Sequence, residues 1–214
     1  MLLNLDGKKA LVTGGSHGIG LAIREVLESE GVEVFSISRR EGVDVLNYED
    51  MVRALLTYTD MDILINNVGG GGRWGTPEPL NTDYKTWQEV YKKNTETAIQ
   101  FTLSTLPYMI EQKWGRVISI ASIFGKEGGG RPWFTTAKAA EIAFMKSMAL
   151  QHYDGITFNT ICPGYIYIEG KPMEVERFGY PEDIAGIVAF LCSDHAKWIN
   201  GACIMVDGGE SKSY

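Results

Sequence analysis

The first residues of chemical interest are Phe134 and Lys138 in the segment RPWFTTAK, which runs from residue 131 to residue 138. Residues four positions apart lie on the same face of a helix, so both side chains are expected to point the same way. A lysine ammonium can hold oxygen atoms and can stabilise a neighbouring anion. Phenylalanine has no acidic hydrogen to complete an acid–base pair. The segment is therefore either ordinary helix packing or half of an active site.

A glycine-rich loop, VTGGSHGIG (12–20), follows an apolar run and precedes a helical pattern. Gly14, Gly18 and Gly20 have the Gly-x-x-x-Gly-x-Gly spacing, which is related to the dinucleotide fingerprint. Glycines allow close backbone approach, and the N-terminus of the following helix can receive a pyrophosphate. A tight turn without a ligand is the simpler alternative, but the flanking strand and helix favour dinucleotide binding. The same loop contains Ser16, Ile19 and His17, and His17 is either near the adenosine phosphates or a structural surface residue.

The charges after the second apolar run bear on which dinucleotide binds. An acidic residue about 20 positions past the glycines would accept from the ribose 2′-hydroxyl of NAD. Here Ser38 is followed by Arg39 and Arg40. Two guanidinium groups suit a 2′-phosphate, although solvated surface arginines are the alternative. We therefore expect NADP, with NAD as the second choice.

Elements that can position these residues alternate along the chain. Short β-branched runs alternate with longer helical patterns, which predicts a parallel α/β sheet. The predicted strands are 9–13, 32–38, 62–66, 116–121, 156–161 and 202–206, and the predicted helices lie near 18–30, 47–58, 81–113, 132–153 and 181–192. We expect a doubly wound sheet in a single domain that spans residues 1–214.

One connection in this alternation is too short. Only RREG separates the second strand from VDV at residues 43–45, whereas a parallel crossover needs about a dozen residues. The third strand of a doubly wound fold is therefore predicted to be a stub or absent, which leaves six full strands.

Composition restricts the class of protein. The net charge of −7 over 214 residues argues against nucleic-acid and anionic-membrane partners. Three cysteines without C-x-x-C spacing are expected to be buried thiols, with neither a disulfide framework nor a metal site. The N-terminal segment lacks the pattern of a secretory signal, and no apolar run is long enough for a membrane span. A cytoplasmic location is expected.

The chain resembles the short-chain dehydrogenase/reductase family. The resemblance runs from about residue 5 to residue 209, and it is carried by VTGGSHGIG (12–20), DILINNVGG (62–70), IAS (120–122), Lys138, PGYI (163–166) and VDGG (206–209). It implies a Rossmann-type fold and reversible hydride transfer between a nicotinamide cofactor and a carbonyl or alcohol substrate.

The resemblance also implies roles for individual residues. Gly14, Gly18, Ile19 and Gly20 would line the pyrophosphate. The adenosine would be met by Asp44, Val45, Asn67, Val68 and Gly69. The nicotinamide amide would face Pro163, Gly164 and Ile166. Asn94 would support a proton-relay water, Ser122 would bind the substrate oxygen, and Lys138 would hold the nicotinamide ribose and lower the pKa of the family's tyrosine. The alternatives are a helix–loop bridge for Asn94, a strand-end cap for Ser122 and a surface position for Lys138.

Phe134 occupies the position at which the family has its tyrosine. A phenol would protonate the alkoxide that forms during carbonyl reduction, and general acid–base catalysis contributes about 10²–10⁴-fold. Three explanations are open: an engineered Tyr→Phe change, which ranks first, a natural relative that binds cofactor without turnover, or another proton donor. Tyr165 lies beside the predicted nicotinamide segment and Trp133 adjoins Phe134, but neither has the right spacing, and an indole is a poor acid. The predicted function is an NAD(P)-dependent oxidoreductase silenced at residue 134, with a non-catalytic regulatory or scaffold protein as the alternative.

Two glycine-rich loops, 69–75 and 125–133, flank the expected site. One loop contains Arg73 and Trp74, and the other contains Arg131 and Trp133. Arginine can bind an anion and tryptophan can stack on a planar group, which suggests a small carbonyl substrate with an acidic or aromatic part. The alternative is that both loops are flexible connectors. The stretch from Tyr167 to Arg177 predicts a short substrate lid without a helix. Long apolar helices predict a homodimer or homotetramer.

Overall fold

The sheet of the molecule is parallel throughout. The structure is a computed structural model that describes residues 2–170 and 175–212. Six strands lie in the order β2–β1–β3–β4–β5–β6. They are β1 Lys9–Thr13, β2 Glu33–Ile37, β3 Ile63–Asn66, β4 Gly115–Ile120, β5 Ile156–Pro163 and β6 Cys203–Val206. The predicted α/β class and six full strands are confirmed.

Helices cover both faces of this sheet. They are α1 Gly18–Ser29, α2 Tyr48–Thr57, α3 Tyr84–Tyr91, α4 Thr97–Gln112, α5 Ile123–Glu127, α6 Pro132–Ala149 and α7 Pro181–Cys192. Successive strand residues point to opposite faces, so Val12 packs in the core beneath α1 and α7, and Leu11 packs in the core beneath α2, α4 and α6. The doubly wound, Rossmann-type architecture follows from these two cores. Among the described residues, no helix has the length and apolar character needed to cross a membrane.

The short connection after β2 behaves as its length predicts. Between β2 and α2 the described backbone forms a 3₁₀ turn at Arg39–Glu41 and no strand. Val45 is inserted into the core beneath α2. The chain passes from β2 through this turn into α2 without forming another strand, so β2 is an edge strand.

Several predicted boundaries differ from those of the structure. The predicted helix 81–113 is divided by a π-helical turn at Lys92–Glu96. Helix α6 ends at Ala149 rather than at residue 153, and β5 continues to Pro163. The short helix α5 was not predicted, because a five-residue helix carries too little periodicity to detect.

The three cysteines are free thiols, as expected. Cys162 and Cys192 are buried, whereas Cys203 is partly exposed, which corrects the expectation that all three are buried. Burial raises the pKa of Cys192 to about 12.

The carboxyl ends of β1 and β3 are tied together by one hydroxyl group. Thr13 is fully buried, and its Oγ1 accepts from the backbone N–H groups of Asn67 and Val68, each at 3.0 Å. The same hydroxyl donates to the carbonyl of Ile65 at 3.2 Å. Because both loops that leave these strands begin here, Thr13 sets their separation.

We predict that Thr13→Val destabilises the fold by about 3 kcal/mol, because two buried N–H groups lose their acceptor. Urea unfolding measures the loss. Thr105→Val is the matched control, since Thr105 is equally buried but its hydroxyl donates to Phe101 within its own helix. Equal losses in the two variants would contradict the role of Thr13.

Candidate nucleotide and active site

The candidate site lies where the order of the strands reverses. Strand β1 has β2 on one side and β3 on the other, so the loops that leave β1 and β3 diverge and open a crevice. In open parallel sheets, ligands bind in such a crevice beyond the carboxyl ends of the strands. The loops concerned are 14–17 and 67–75.

The loop after β1 has the shape of a cradle that admits no side chains. Gly14 and Gly18 have φ angles of 73° and 55°, in the left-handed region that favours glycine. A Cβ atom at Gly20 would collide with the carbonyl oxygen of Gly14 and with the amide of Asn67. The side-chain amide of Asn67 closes the turn by donating to the carbonyl oxygens of Thr13 and Gly14 at 2.9 and 3.1 Å. His17 is the N-cap residue of α1, and its Nδ1 lies 3.3 Å from Ser16 Oγ.

The predicted adenosine end contains both arginines. Arg39 and Arg40 are exposed, and Arg40 Nη1 donates to the carbonyl of Ser16 at 3.3 Å. This bond places one guanidinium group directly against the glycine loop. A carboxylate that the sequence interpretation did not consider, Glu41, accepts from Ser36 Oγ at 3.1 Å and lies 3.9 Å from Arg24.

Asp44 and Val45 are engaged locally. Asp44 accepts from the N–H of Leu46 at 3.0 Å, and its own N–H donates to Asp50 at 2.9 Å. Val45 is 5% exposed. The pair fixes the entry into α2 and borders the crevice from the β2 side.

Asn94 lies in the π-helical turn between α3 and α4, and it binds the loop after β3. Its amide nitrogen donates to the carbonyls of Val90 and Gly70 at 2.7 and 2.8 Å, and its Oδ1 accepts from Gly70 N–H at 3.1 Å. The extra residue in a π-helical turn changes the direction in which its side chains point relative to a regular α-helix. Such turns are frequent at functional sites. Asn94 therefore does bridge a helix to a loop, at the mouth of the crevice.

Lys138 and Asn94 meet at Gly69. A Cβ atom at Gly69 would lie 2.6 Å from Asn94 Oδ1 and 3.2 Å from Lys138 Nζ, so residue 69 has no room for a side chain. Lys138 is 3% exposed, and its ammonium donates to the carbonyl of Ile120 at 2.8 Å. The lysine is a buried cation, which excludes the surface alternative.

Ser122 follows β4 by two residues and is the N-cap of α5. Its Oγ accepts from Phe124 N–H at 3.2 Å. The Ser122 hydroxyl therefore has a capping role, at the start of α5. It also lies at the carboxyl end of β4, where the resemblance places the substrate oxygen. Helix α5 packs tightly on α6, because a Cβ atom at Gly125 would lie 2.8 Å from the Lys138 backbone. Ser122 and Lys138 are thereby held on adjoining elements.

Phe134 lies one helical turn before Lys138 and is covered by the loop after β3. A Cβ atom at Gly72 would lie 3.3 Å from the Phe134 ring, so the loop backbone rests on the ring face. Arg131 fastens the same loop, because its Nη1 donates to the carbonyls of Trp74 and Gly75 at 2.8 Å each. Arg131 thus connects the two glycine-rich loops through hydrogen bonds to backbone carbonyls.

The predicted nicotinamide side is formed by the segment that follows β5. Pro163 ends this strand, Gly164 N–H donates to Val206 at 3.1 Å, and Ile166 forms a β-bridge with Gly179. The side chain of Ile168 packs against Gly18, where a Cβ atom would lie 2.8 Å from it.

Aromatic rings cluster around the segment that follows β5. The rings of Tyr167, Phe178 and Tyr180 are 5.7–6.0 Å apart, and Phe124 stacks edge-on against Tyr165 at 6.1 Å. The short lid was predicted for Tyr167–Arg177. Its described parts, 167–170 and 175–177, contain no helix, and residues 171–174 lie outside the described part of the chain.

Glu141 was missed in the sequence interpretation. It is 1% exposed, and its Oε2 lies 2.8 Å from Lys138 Nζ. Burial raises the pKa of its carboxyl group, and the neighbouring Lys138 opposes that effect. A carboxylate three residues after a lysine on one helix is a recognised pairing pattern, and its position within the apolar run AAEIAF could have revealed it.

No cluster of three or more metal-ligating side chains occurs among residues 2–170 and 175–212. The cradle of glycines instead matches the shape of a dinucleotide pyrophosphate, which needs backbone N–H groups and no side chains in its path.

Comparison with known proteins agrees with this geometry. A family profile described as "Enoyl-(Acyl carrier protein) reductase" matches residues 43–211. The 3-oxoacyl-[acyl-carrier-protein] reductase FabG of Vibrio cholerae is 33% identical over 245 aligned positions, covering 97% of this chain and 98% of the relative. The enzymes of that name from Aquifex aeolicus and Escherichia coli are 33% and 31% identical, covering 98% and 97% of this chain and 99% and 98% of their own.

The strand order, the glycine cradle and the matched relatives lead to one assignment. The protein is a member of the short-chain dehydrogenase/reductase family of NAD(P)-dependent oxidoreductases.

Proposed function

We propose that this protein is an NADP-dependent reductase of a 3-oxoacyl or related carbonyl compound. The observation that carries the proposal is the arrangement of Asn94, Lys138 and Ser122 at the carboxyl ends of the strands, beside a glycine cradle. The names of the relatives point to a 3-oxoacyl group as the substrate class. The chain acts as one domain over residues 1–214.

The chain's own residues would hold the dinucleotide along the crevice. The backbone of 14–20 would receive the pyrophosphate, helped by Ser16, His17 and the N-terminus of α1. Asn67, Val68 and Gly69 would border the adenine ribose on one side, and Asp44 and Val45 on the other. Pro163, Gly164 and Ile166 would face the carboxamide. When bound, the nicotinamide supplies or accepts the hydride.

NADP rather than NAD is favoured by Arg40. Its bond to Ser16 holds a guanidinium group beside the loop that would carry the adenosine phosphates. Arg39 adds a second positive charge to the same exposed turn. Glu41 is directed toward Ser36 and Arg24 instead.

We predict that Arg40→Ala weakens NADPH binding by about tenfold or more, because a charge-assisted hydrogen bond to the 2′-phosphate is lost. NADH binding should change by less than about twofold, since NADH lacks that phosphate. Titration calorimetry measures both affinities. Lys85→Ala is the control, because Lys85 is an exposed cation paired with Glu89 on α3. Parallel losses for NADPH and NADH would count against the assignment of Arg40.

The residues around the substrate carbonyl divide the chemistry between them. Ser122 Oγ would donate to the carbonyl oxygen and orient it. Lys138, held by Ile120, would bind the ribose hydroxyls, and Asn94 would fix the loop at Gly70 and a water beside it. Phe134 fills the position of the proton donor without a transferable proton, so protonation of the alkoxide would fall to solvent and the reaction would be slow.

We predict that Phe134→Tyr raises the turnover number about 10²-fold, because it restores a general acid one turn before Lys138. The measurement is NADPH oxidation with a 3-oxoacyl thioester such as acetoacetyl-coenzyme A. Phe124→Tyr is the matched control, since it places a phenol in the same crevice on α5. NADPH binding without any gain in turnover would favour the alternative of a non-catalytic dinucleotide-binding protein.

The wall of the crevice suits an apolar substituent on the carbonyl compound. Tyr165, Tyr167, Phe178 and Tyr180 present rings on the side of the lid. Aromatic surfaces bury apolar chains and stack on planar groups. An acyl chain or an aromatic ring attached to the 3-oxo group would pack against these aromatic rings.

A homo-oligomer is proposed from exposed apolar side chains on the long helices. The exposed residues include Tyr84 on α3, Leu103 and Ile110 on α4, and Leu150 at the end of α6. Exposed apolar groups on helix surfaces are typical of subunit contacts.

We predict a dimer or tetramer for the unmodified chain and dissociation for the Leu103→Glu and Ile110→Glu double variant, because two buried charges would face each partner. Size-exclusion chromatography with light scattering gives the mass. Leu56→Glu on α2 is the control, as Leu56 is an exposed leucine outside these helices. A monomeric mass for the unmodified chain would end the proposal.

A further inference from the structure

The buried pair formed by Lys138 and Glu141 is unusual for its setting. Both residues are on α6, three positions apart, and they are 3% and 1% exposed. Removing two charges from water costs several kcal/mol per ion, so a buried pair is retained only where the charge itself is needed or its geometry is well satisfied. Surface residues of this spacing would carry no such cost.

The needed charge is the ammonium of Lys138. It donates to the carbonyl of Ile120 and to Glu141 Oε2, each at 2.8 Å. An ammonium has three N–H donors, and the remaining direction is toward Gly69 and Asn94, where the crevice begins. Glu141 thus binds the ammonium of Lys138 from within helix α6. The backbone of Gly69 approaches the same ammonium from the loop after β3.

The residue that shares this helix face on the crevice side carries no charge. Phe134 lies four positions before Lys138, and a hydroxyl on its ring would be the natural anionic neighbour of the ammonium. Without that hydroxyl, the buried cation on this helix needs its negative charge from elsewhere. The carboxylate on the other side of Lys138 supplies it.

We propose that Glu141 is a positioning residue that serves as the counter-charge of Lys138 in place of an ionised phenol at residue 134. The inference rests on the proposed function of Lys138 as a cofactor-binding cation. It makes Phe134 and Glu141 one electrostatic unit, in which the charge of Lys138 is already neutralised. On this proposal, the loss of the phenol at residue 134 leaves no unpaired positive charge in the site.

The other polar groups around this unit come from several elements. Ser119 of β4 faces Glu141, and Cys162 of β5 is near enough to feel the charge of Lys138. Lys93 of the π-helical turn approaches Gly70 on the crevice side. A titration of residue 134 therefore has to be compared between variants that keep all of these groups.

The test introduces a phenol and asks how strongly Lys138 stabilises its anion. In Phe134→Tyr the carboxylate of Glu141 offsets the lysine, so the new phenol should titrate near its ordinary value of about 10. In Phe134→Tyr with Glu141→Gln the cation is no longer offset, so the pKa of the phenol should be lower by about one pH unit or more. Carbon-13 NMR of tyrosine labelled at Cζ follows the one resonance that the unmodified chain lacks.

The pH profile of turnover provides a second measurement. A phenol donates its proton only while it is protonated, so the reduction rate falls as pH rises through its pKa. This alkaline limb should move to lower pH in the double variant by the same amount as the NMR titration. A purely structural role of Glu141 would lower stability without moving the limb.

Each result has a defined meaning. A phenol that titrates well below 9 while Glu141 is present, or equally in both backgrounds, overturns the proposal. Glu141→Met in the Phe134→Tyr background replaces Glu141→Gln if the amide variant does not fold, and the single Phe134→Tyr titration decides the matter if neither does. Because the titration is recorded without cofactor, absence of NADPH binding or turnover would refute the proposed function and leave this inference separately decided.

Discussion

The buried ammonium of Lys138 is the charge around which the site is arranged. A cation in this position must be surrounded by oxygen atoms, and the fold supplies them from two directions: the carbonyl of Ile120 at the end of β4 and the carboxylate of Glu141 on its own helix. The bond to Ile120 brings Lys138 of α6 to the end of β4, and the glycine at position 125 lets α5 pack tightly on α6 beside this lysine. The narrow space left at Gly69 follows from the same arrangement, because the ammonium and the amide of Asn94 approach the backbone there from two sides.

The connection between fold and site passes through the ends of the strands. Thr13 fixes how far the loops after β1 and β3 separate, and Asn67 then closes the glycine turn. The π-helical turn brings Asn94 to the loop after β3, and Arg131 holds the far end of that loop. The loops at this edge of the sheet are thus held mainly by hydrogen bonds from side chains to backbone.

Much of this organisation could be predicted from the sequence. The alternation of apolar runs predicted the six strands, and the spacing of Gly14, Gly18 and Gly20 located the loop. The length of RREG predicted that the strand after β2 is a stub or absent. What could not be predicted depends on contacts between distant segments. The π-helical turn at Lys92–Glu96 has no periodic signal, and the three carbonyls that engage Arg131 are 56–58 residues away. The burial of Glu141 depends on how α6 packs in the folded chain.

Strand β2 forms one edge of the sheet. The alignment with the Vibrio cholerae relative spans 245 positions, more than the 214 residues of this chain, so segments of that relative have no counterpart here, and the direct return after β2 is where a doubly wound sheet would hold another strand. The outer backbone edge of β2 is consequently unpaired within the sheet. Strands β1, β3, β4 and β5 each have a neighbouring strand on both sides. The end of the sheet at β2 can therefore change in length without altering the pairing of the interior strands.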